Sequence, residues 1–299
     1  MELLVVGSVA LDTVETACAQ RTEVLGGSAS FISTAARRFA PVRLVAVVGD
    51  DFPPAHRELL AAQGIDISGL QVVPGRTFRW SGRYHQNMNC RDTLSTELGV
   101  FESFRPELDA AARQSEVLFL GNIHPALQLQ VLAEAQGVRF AGLDTMNYWI
   151  EGTPELLAQV LARVDVALVN EEEARSLAGV CPLAEAAAKI RQLGPRYLVI
   201  KRGEYGALLF WEEGVLAVPA LLLPDVQDPT GAGDSFAGGF MGYLAREGDF
   251  SPASLRRAMI HGTVLASCAV EDFSLGGLLR PTAAQLEQRE QQLLAMLQV

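Results

Sequence analysis

The residues best equipped for chemistry form one run, Asp228-Pro229-Thr230-Gly231-Ala232-Gly233-Asp234-Ser235. Gly231, Ala232 and Gly233 are small enough to leave backbone N–H groups uncovered where a helical pattern begins, and that pattern continues to about Arg246. Uncovered N–H groups at the positive end of a helix dipole favour an anion, and a phosphoryl group fits such a turn. Asp234 within it has two readings, as a cap for the helix or as a general base beside an anion hole. Rival motifs fail on inspection. No GxxxxGK[ST] occurs, which excludes a P-loop enzyme, and the first strand runs into Gly7-Ser8-Val9-Ala10 where a dinucleotide fold needs GxGxxG. Gly233-Asp234-Ser235-Phe236-Ala237 misses the GxSxG elbow at Ala237, so a serine hydrolase is excluded as well.

Such a turn works only when a scaffold brings partners to it. Short apolar runs at Leu3 to Val6, Leu44 to Val48, Val117 to Leu120, Val138 to Leu143, Val166 to Val169 and Tyr197 to Ile200 read as strands buried on both faces. Helical patterns lie between them, at about Ser28 to Phe39, Pro53 to Gln63, Ala126 to Gln136, Pro154 to Arg163, Glu171 to Leu177 and Leu183 to Leu193. The alternation predicts βαβ units around a mostly parallel sheet. Each strand ends in a glycine or polar residue, including Asp12, Asp50, Asn122, Asp144, Asn170 and Lys201. Ligands of open α/β sheets bind outside the carboxyl ends of the strands, so these residues are expected to face one cleft. The alternation breaks between Gly75 and Phe104, a stretch rich in Thr, aromatic residues and Arg that reads as antiparallel strands. With the short polar piece Thr13 to Val24 it predicts a small β lid over the cleft. The lid is thus expected over 13–24 and 75–104, and the core over 1–12, 25–74 and 105–299.

Composition narrows the partners. Twenty-four Lys and Arg against 35 Asp and Glu give a net charge of −11, which repels a nucleic-acid backbone yet leaves room for a local site holding ATP. The four cysteines and four histidines show no metal-ligand spacing. Met1 to Leu11 carries Glu2 and no basic residue, which predicts no secretory leader, and no apolar run reaches the roughly 18 residues a membrane span needs. A cytoplasmic protein with reduced thiols and no membrane partner is expected.

The run Asp228 to Asp234 closely resembles the DTxGAGD signature of the ribokinase-like (PfkB) family of carbohydrate and nucleoside kinases, with Pro229 in place of the usual first Thr. The likeness extends along the chain, through Gly7-Ser8 and Asp12, the pair Gly26-Gly27, Asn170 to Glu173 as NxxE, and Gly203 with Gly206. It implies a ribokinase-like three-layer α/β/α core with a mostly parallel sheet and a small β-sheet lid. It also implies roles. Asp234 takes the proton of a substrate hydroxyl while Gly231, Ala232 and Gly233 stabilise the transferring phosphoryl group. Asp12, Gly26, Gly27 and the position of Phe31 face the acceptor, and Asn170, Lys201, Gly203, Gly206 and Thr263 face the nucleotide. Glu173 positions Mg²⁺ through water, and Asp228 with Thr230 resembles a site for a monovalent cation such as K⁺.

Two departures fall on the acceptor side. Ala10 and Phe31 stand where relatives carry Asn, so two amides that would bond sugar hydroxyls are missing. Phe31, Phe78, Trp80 and Tyr84 could instead stack on a base, while Arg83 and Arg91 add positive charge to the lid. The reading that follows is an ATP-dependent kinase acting on a hydroxymethyl group of a sugar, with a nucleoside kinase as one alternative and a non-catalytic sugar-binding sensor as another. A homodimer through the exposed strands of the lid is also expected.

Overall fold

Leu3–Val6 is apolar at every position, and such a strand is stable only when both its faces are covered. In the structure, a computed structural model that describes residues 1–297, all four residues are buried at the heart of a large sheet. In chain order the strands are Leu3–Val6 (β1), Ala10–Glu15 (β2), Gln20–Gly26 (β3), Val42–Gly49 (β4), Asp66–Val73 (β5), Arg79–Tyr84 (β6), Arg91–Glu97 (β7), Val117–Leu120 (β8), Phe140–Asp144 (β9), Val166–Asn170 (β10), Tyr197–Lys201 (β11), Ala207–Trp211 (β12) and Gly214–Val218 (β13). Nine of them form one sheet in the order β13-β12-β11-β10-β9-β8-β1-β4-β5. Its pairings are parallel from β5 through β11, and β12 and β13 add an antiparallel edge.

Successive residues of a strand point to opposite faces, and the core divides accordingly. Leu3, Val5, Leu44, Phe119, Val166 and Val199 pack with the helices Ser28–Ala36, Ala232–Glu247 and Pro252–Ala269. Leu4, Val6, Val45, Leu118, Val169 and Ile200 pack with Pro154–Leu161, Glu171–Ala178 and Leu183–Gln192 on the other side. The fold is therefore the three-layer α/β/α arrangement expected. A Cβ at Gly238 would meet the Ile32 carbonyl and one at Gly242 the Ala36 backbone, so these glycines let the helix Ala232–Glu247 sit directly on Ser28–Ala36.

The expected strands and helices are all present, their ends shifted by a few residues. The helix starting at Ser28 stops at Ala36 and leaves Arg37 to Phe39 as a turn, and the strand expected from Val138 begins at Phe140. Periodicity did not reveal β5, whose sequence DISGLQVV mixes Asp, Ser, Gly and Gln because an edge strand has only one neighbour and needs less apolar cover. It also missed the β12–β13 hairpin.

The remaining strands form the smaller sheet, in the order β3-β2-β6-β7. β6 pairs antiparallel with β7 but parallel with β2. This lid sheet takes in Ala10 to Asp12 and Leu25 to Gly26, so Asp12 rides on the lid sheet itself. Asp51 ties the sheet to the core, since it accepts hydrogen bonds from the Thr77 N–H at 2.7 Å and the Thr77 hydroxyl at 2.6 Å and pairs with Arg79 at 2.8 Å. Among the described residues no helix is long and apolar enough to cross a membrane.

Candidate active site

Gly231 has φ +74°, a left-handed conformation that glycine adopts without strain, and the helix Ala232–Glu247 begins at the next residue. The turn is held from several sides. The Phe31 ring lies against Gly231 so closely that a Cβ there would collide with it. Ser235 donates its N–H and its hydroxyl to the Gly231 carbonyl at 2.8 and 2.7 Å, and the Thr230 N–H donates to Asp228 Oδ1 at 2.8 Å. Lys201 Nζ reaches the turn from β11, 3.1 Å from where a Gly233 Cβ would stand, and pairs with Asp144 at 2.7 Å. Of the three N–H groups expected to be uncovered, that of Ala232 donates to the Pro229 carbonyl at 3.2 Å, while those of Gly231 and Gly233 have no backbone acceptor and lie beside a carboxylate and an ammonium.

The charges there are unbalanced. Burial, then the charge of Asp144, pushes the Asp234 carboxyl up to about 7. The same two causes push Glu173 up to about 8, and burial lifts Asp12 to about 7 against the opposing hydrogen bond from the Gly27 N–H. Burial alone would lower the Lys201 ammonium, but Asp144 and Glu173 hold it above its usual range. A pocket crowded with carboxylates of raised pKa is one where added positive charge is strongly favoured.

Asn170 and Glu173 form a capping box at the start of Glu171–Ala178. The Glu173 N–H donates to Asn170 Oδ1 at 2.8 Å and the Asn170 N–H donates to Glu173 Oε2 at 2.7 Å. Nearby lies a cleft of about 600 Å³ lined by Lys201, Gly203, Gly206, Ala232, Gly233, Thr263 and Val270. Thr263 bonds its hydroxyl back to the Met259 carbonyl at 2.9 Å, so it adds apolar wall rather than a free donor.

On the opposite side of Asp234 the lid sheet forms a second wall. A Cβ at Gly26 would land on the Asp12 carboxylate, which explains that glycine, and Gly27 at φ +87° turns its N–H toward Asp12. Trp80 stands opposite Asp12 in the β2–β6 register, and its ring lies against Gly82, where a Cβ would collide with it. The Arg91 guanidinium sits 5.6 Å from the centre of the Trp80 ring, and Arg91 faces Tyr84 across β6–β7. Arg91 is near enough to bias the titration of Asp12, Glu173 and Asp234. Thr230 and Tyr84 join their hydroxyls at 3.2 Å, a direct link from lid to turn.

The expected convergence of strand ends is only partly present. Asp12, Asp144 and Lys201 lie close enough to Asp234 to share its electrostatics, and Asn170 is bonded to Glu173, which Asp144 and Lys201 also face, whereas Asp50 accepts the Gly75 N–H and Asn122 accepts the Trp149 indole N–H at 2.9 Å, so both brace neighbouring segments instead. Phe31 is 1% exposed beneath Gly231, while Trp80 and Tyr84 both cluster with Val14 on the inner face of the lid. Sequence reasoning placed Asp144 only as a strand end facing the cleft, read Tyr84 as a stacking ring and not as a hydrogen-bond partner of Thr230, gave Asn89 no role and made little of Arg91. Asp144 carried a signal in its place at the end of an apolar strand, but lid residues earn their positions through cross-strand register, which no local spacing encodes.

Known proteins resemble the chain along most of its length. The family model described as pfkB family carbohydrate kinase matches residues 2–282. The chain is 33% identical over 257 residues to a cytidine kinase of Thermococcus kodakarensis, covering 82% of this chain and 89% of that protein. It is 30% identical over 252 residues to a 2-dehydro-3-deoxygluconokinase of Thermoproteus tenax, covering 73% and 72%. Its fold matches aminoimidazole riboside kinase from Salmonella enterica, solved with aminoimidazole riboside and an ATP analogue, at a TM-score of 0.77 and 22% identity over 97% of this chain and 100% of that one. With a family model spanning nearly its whole length and the glycine-opened turn, glycine pair and capped NxxE helix all in place, the chain belongs to the pfkB family of carbohydrate kinases.

Proposed function

We propose that the protein transfers the γ-phosphoryl group of ATP to a hydroxymethyl group of a sugar or nucleoside. The observation that carries this reading is the placing of the Asp234 carboxyl, beside Lys201, in the same helix-opening turn as the Gly231 and Gly233 N–H groups, which have no backbone acceptor, at the edge of the cleft that Ala232 and Gly233 line. Asp234 accepts the proton of the acceptor hydroxyl as its oxygen bonds to the γ-phosphorus and the bond to ADP breaks. The N–H groups and the Arg91 guanidinium offset the charge on the phosphoryl oxygens. Closure of the lid keeps water from competing as acceptor.

Mg²⁺ fits the residues present. Among the described residues no cluster of three His, Cys, Asp or Glu could hold a metal, which suits an ion that keeps its waters and binds mainly phosphate oxygens. The capping box occupies one Glu173 oxygen and leaves the other to hold such an ion through water. When bound, Mg²⁺ neutralises the β- and γ-phosphate oxygens. Asp228 is 1% exposed and keeps its carboxyl above the usual range through burial, which supports K⁺ there with Thr230. Replacing K⁺ by Na⁺ in the assay tests that role.

The acceptor we favour is a nucleoside. Trp80 offers a ring face beside Asp12, the amides that relatives use on free sugars are absent, and one relative is a cytidine kinase. Asp12 would bond the ribose hydroxyls. Purified protein with Mg²⁺, ATP and a panel of pentoses, hexoses, sugar acids and nucleosides tests the reading, with products identified by mass spectrometry. Phosphorylation of a primary hydroxyl is expected. Binding of a panel member without any phosphate transfer would favour the sensor instead. The same reading puts the protein in the cytoplasm, where ATP is supplied. All seven residues of β7 are exposed at the edge of the lid sheet, which supports a homodimer through that edge, to be tested by sedimentation.

A further inference from the structure

The turn between β6 and β7 belongs to two sites at once. Gln86, Asn87, Met88 and Asn89 line the same cleft as Lys201, Gly203, Gly206 and Thr263, although they come from the lid. The turn has a built conformation. Asn87 accepts the Asn89 N–H on its side-chain oxygen at 3.0 Å and the Cys90 N–H on its carbonyl at 2.9 Å, and the His85 N–H donates to the Cys90 carbonyl at 3.1 Å. Met88 packs with Val14 and Tyr84 of the lid and Phe273 of the core, which roots the tip on the inner face of the lid.

Asn89 then crosses to the core. Its Nδ2 donates to Glu204 Oε1 at 3.0 Å, and its Oδ1 lies against Gly203, where a Cβ would collide with it. Gly203 and Glu204 belong to the short turn Gly203–Tyr205, which Arg202 anchors by its 2.7 Å ion pair with Glu171. The lid tip therefore touches the loop that walls the cleft, two residues before Arg91 enters the acceptor side.

We propose that the lid tip is part of the nucleotide site and that Asn89 is a positioning residue for it, so that a bound nucleoside triphosphate holds the lid closed from its own side. This rests on the reading of the cleft as a nucleotide site. Occupancy of the two sites is then coupled in both directions, because a contact that exists only in the closed form favours whichever ligand closes the lid.

The test uses the full chain and a non-hydrolysable ATP analogue, AMP-PNP with Mg²⁺, followed by calorimetry. Asn89→Ala and Glu204→Ala each weaken binding about 3–10-fold, the scale of one hydrogen bond, and the double variant binds no more weakly than the singles. Hydrogen exchange supplies a readout that a merely structural role would not move: AMP-PNP slows exchange of amides 85–91 in the unmodified chain and not in Asn89→Ala. Asn89→Asp, which sets a carboxylate against Glu204, weakens binding at least as much as the alanine variant. If the unmodified chain binds AMP-PNP and Asn89→Ala binds it equally well with the same exchange pattern, the inference falls while the kinase reading stands. If the unmodified chain does not bind AMP-PNP at all, both fall together.

Discussion

The turn from Asp228 to Asp234 and the lid tip from Gln86 to Arg91 meet at the same cleft, but they are held there in opposite ways. The turn opens a helix whose residues Ser235 to Ala245 are all buried, with Phe31 beneath it and Asp228 inside the protein. The lid is a small sheet whose outer strand β7 is exposed along its length, and its tip meets the core through Tyr84, Asn89 and a few apolar contacts. Few buried contacts mean a low free energy of local opening, and many mean rigidity. On the proposed mechanism the difference divides the labour, with proton transfer and charge stabilisation where geometry cannot drift and admission of ligand where opening is easy.

Removing the carboxylate from the rigid region gives the largest effect. Asp234→Asn should lower kcat by about 10²–10⁴, the usual worth of a positioned general base. The same variant should stabilise the ligand-free protein. Asp234 rises from 3.8 to about 7 on folding, so the folded form binds its proton more tightly than the unfolded chain does. Its stability cost is absent below the unfolded value, grows as pH rises between the two, and is complete above about pH 7. Thermal melts at about pH 5 and about pH 8 should therefore show the variant's advantage growing with pH. In the unmodified enzyme kcat/KM should fall as pH drops through about 7, because the base becomes protonated. A flat profile, or a variant less stable than its parent at the higher pH, would remove the rigid turn from the mechanism.

The lid gives the next largest effect. Arg91→Ala should cost about 10²–10³ in kcat, as loss of one preorganised charge donor does. Its melting temperature should stay close to that of the parent, since Arg91 lies on the exposed strand. Arg91→Lys should restore only part of the rate, because an ammonium lacks the planar fork and the stacking on Trp80. If Arg91→Ala unfolds the protein, the lid is more structural than the comparison holds.

The contact between the two regions should matter least. Tyr84→Phe deletes the hydrogen bond to Thr230 and keeps the packing, for a loss of about 2–10-fold in kcat/KM. A loss as large as that of Arg91→Ala would mean that lid and turn act as one rigid unit.

The local chemistry was legible in the chain because it is local. A left-handed glycine, small neighbours and an acidic residue at a helix start are fixed by a few adjacent positions, and so is the Asn170–Glu173 box, where each side chain caps the other's backbone. Apolar runs announced the buried strands for the same reason, each carrying its own demand for cover on both faces. What the sequence by itself determined was thus the family's turn, its helix caps and the strands of the core. Tertiary structure alone decided that Asp144 joins Lys201 across 57 positions, that Asn89 reaches Glu204 across 115, and that Phe31 lies under the anion turn rather than in the acceptor pocket. Those meetings depend on strand order and cross-strand register, properties of how distant segments pack, and no short stretch of residues contains them.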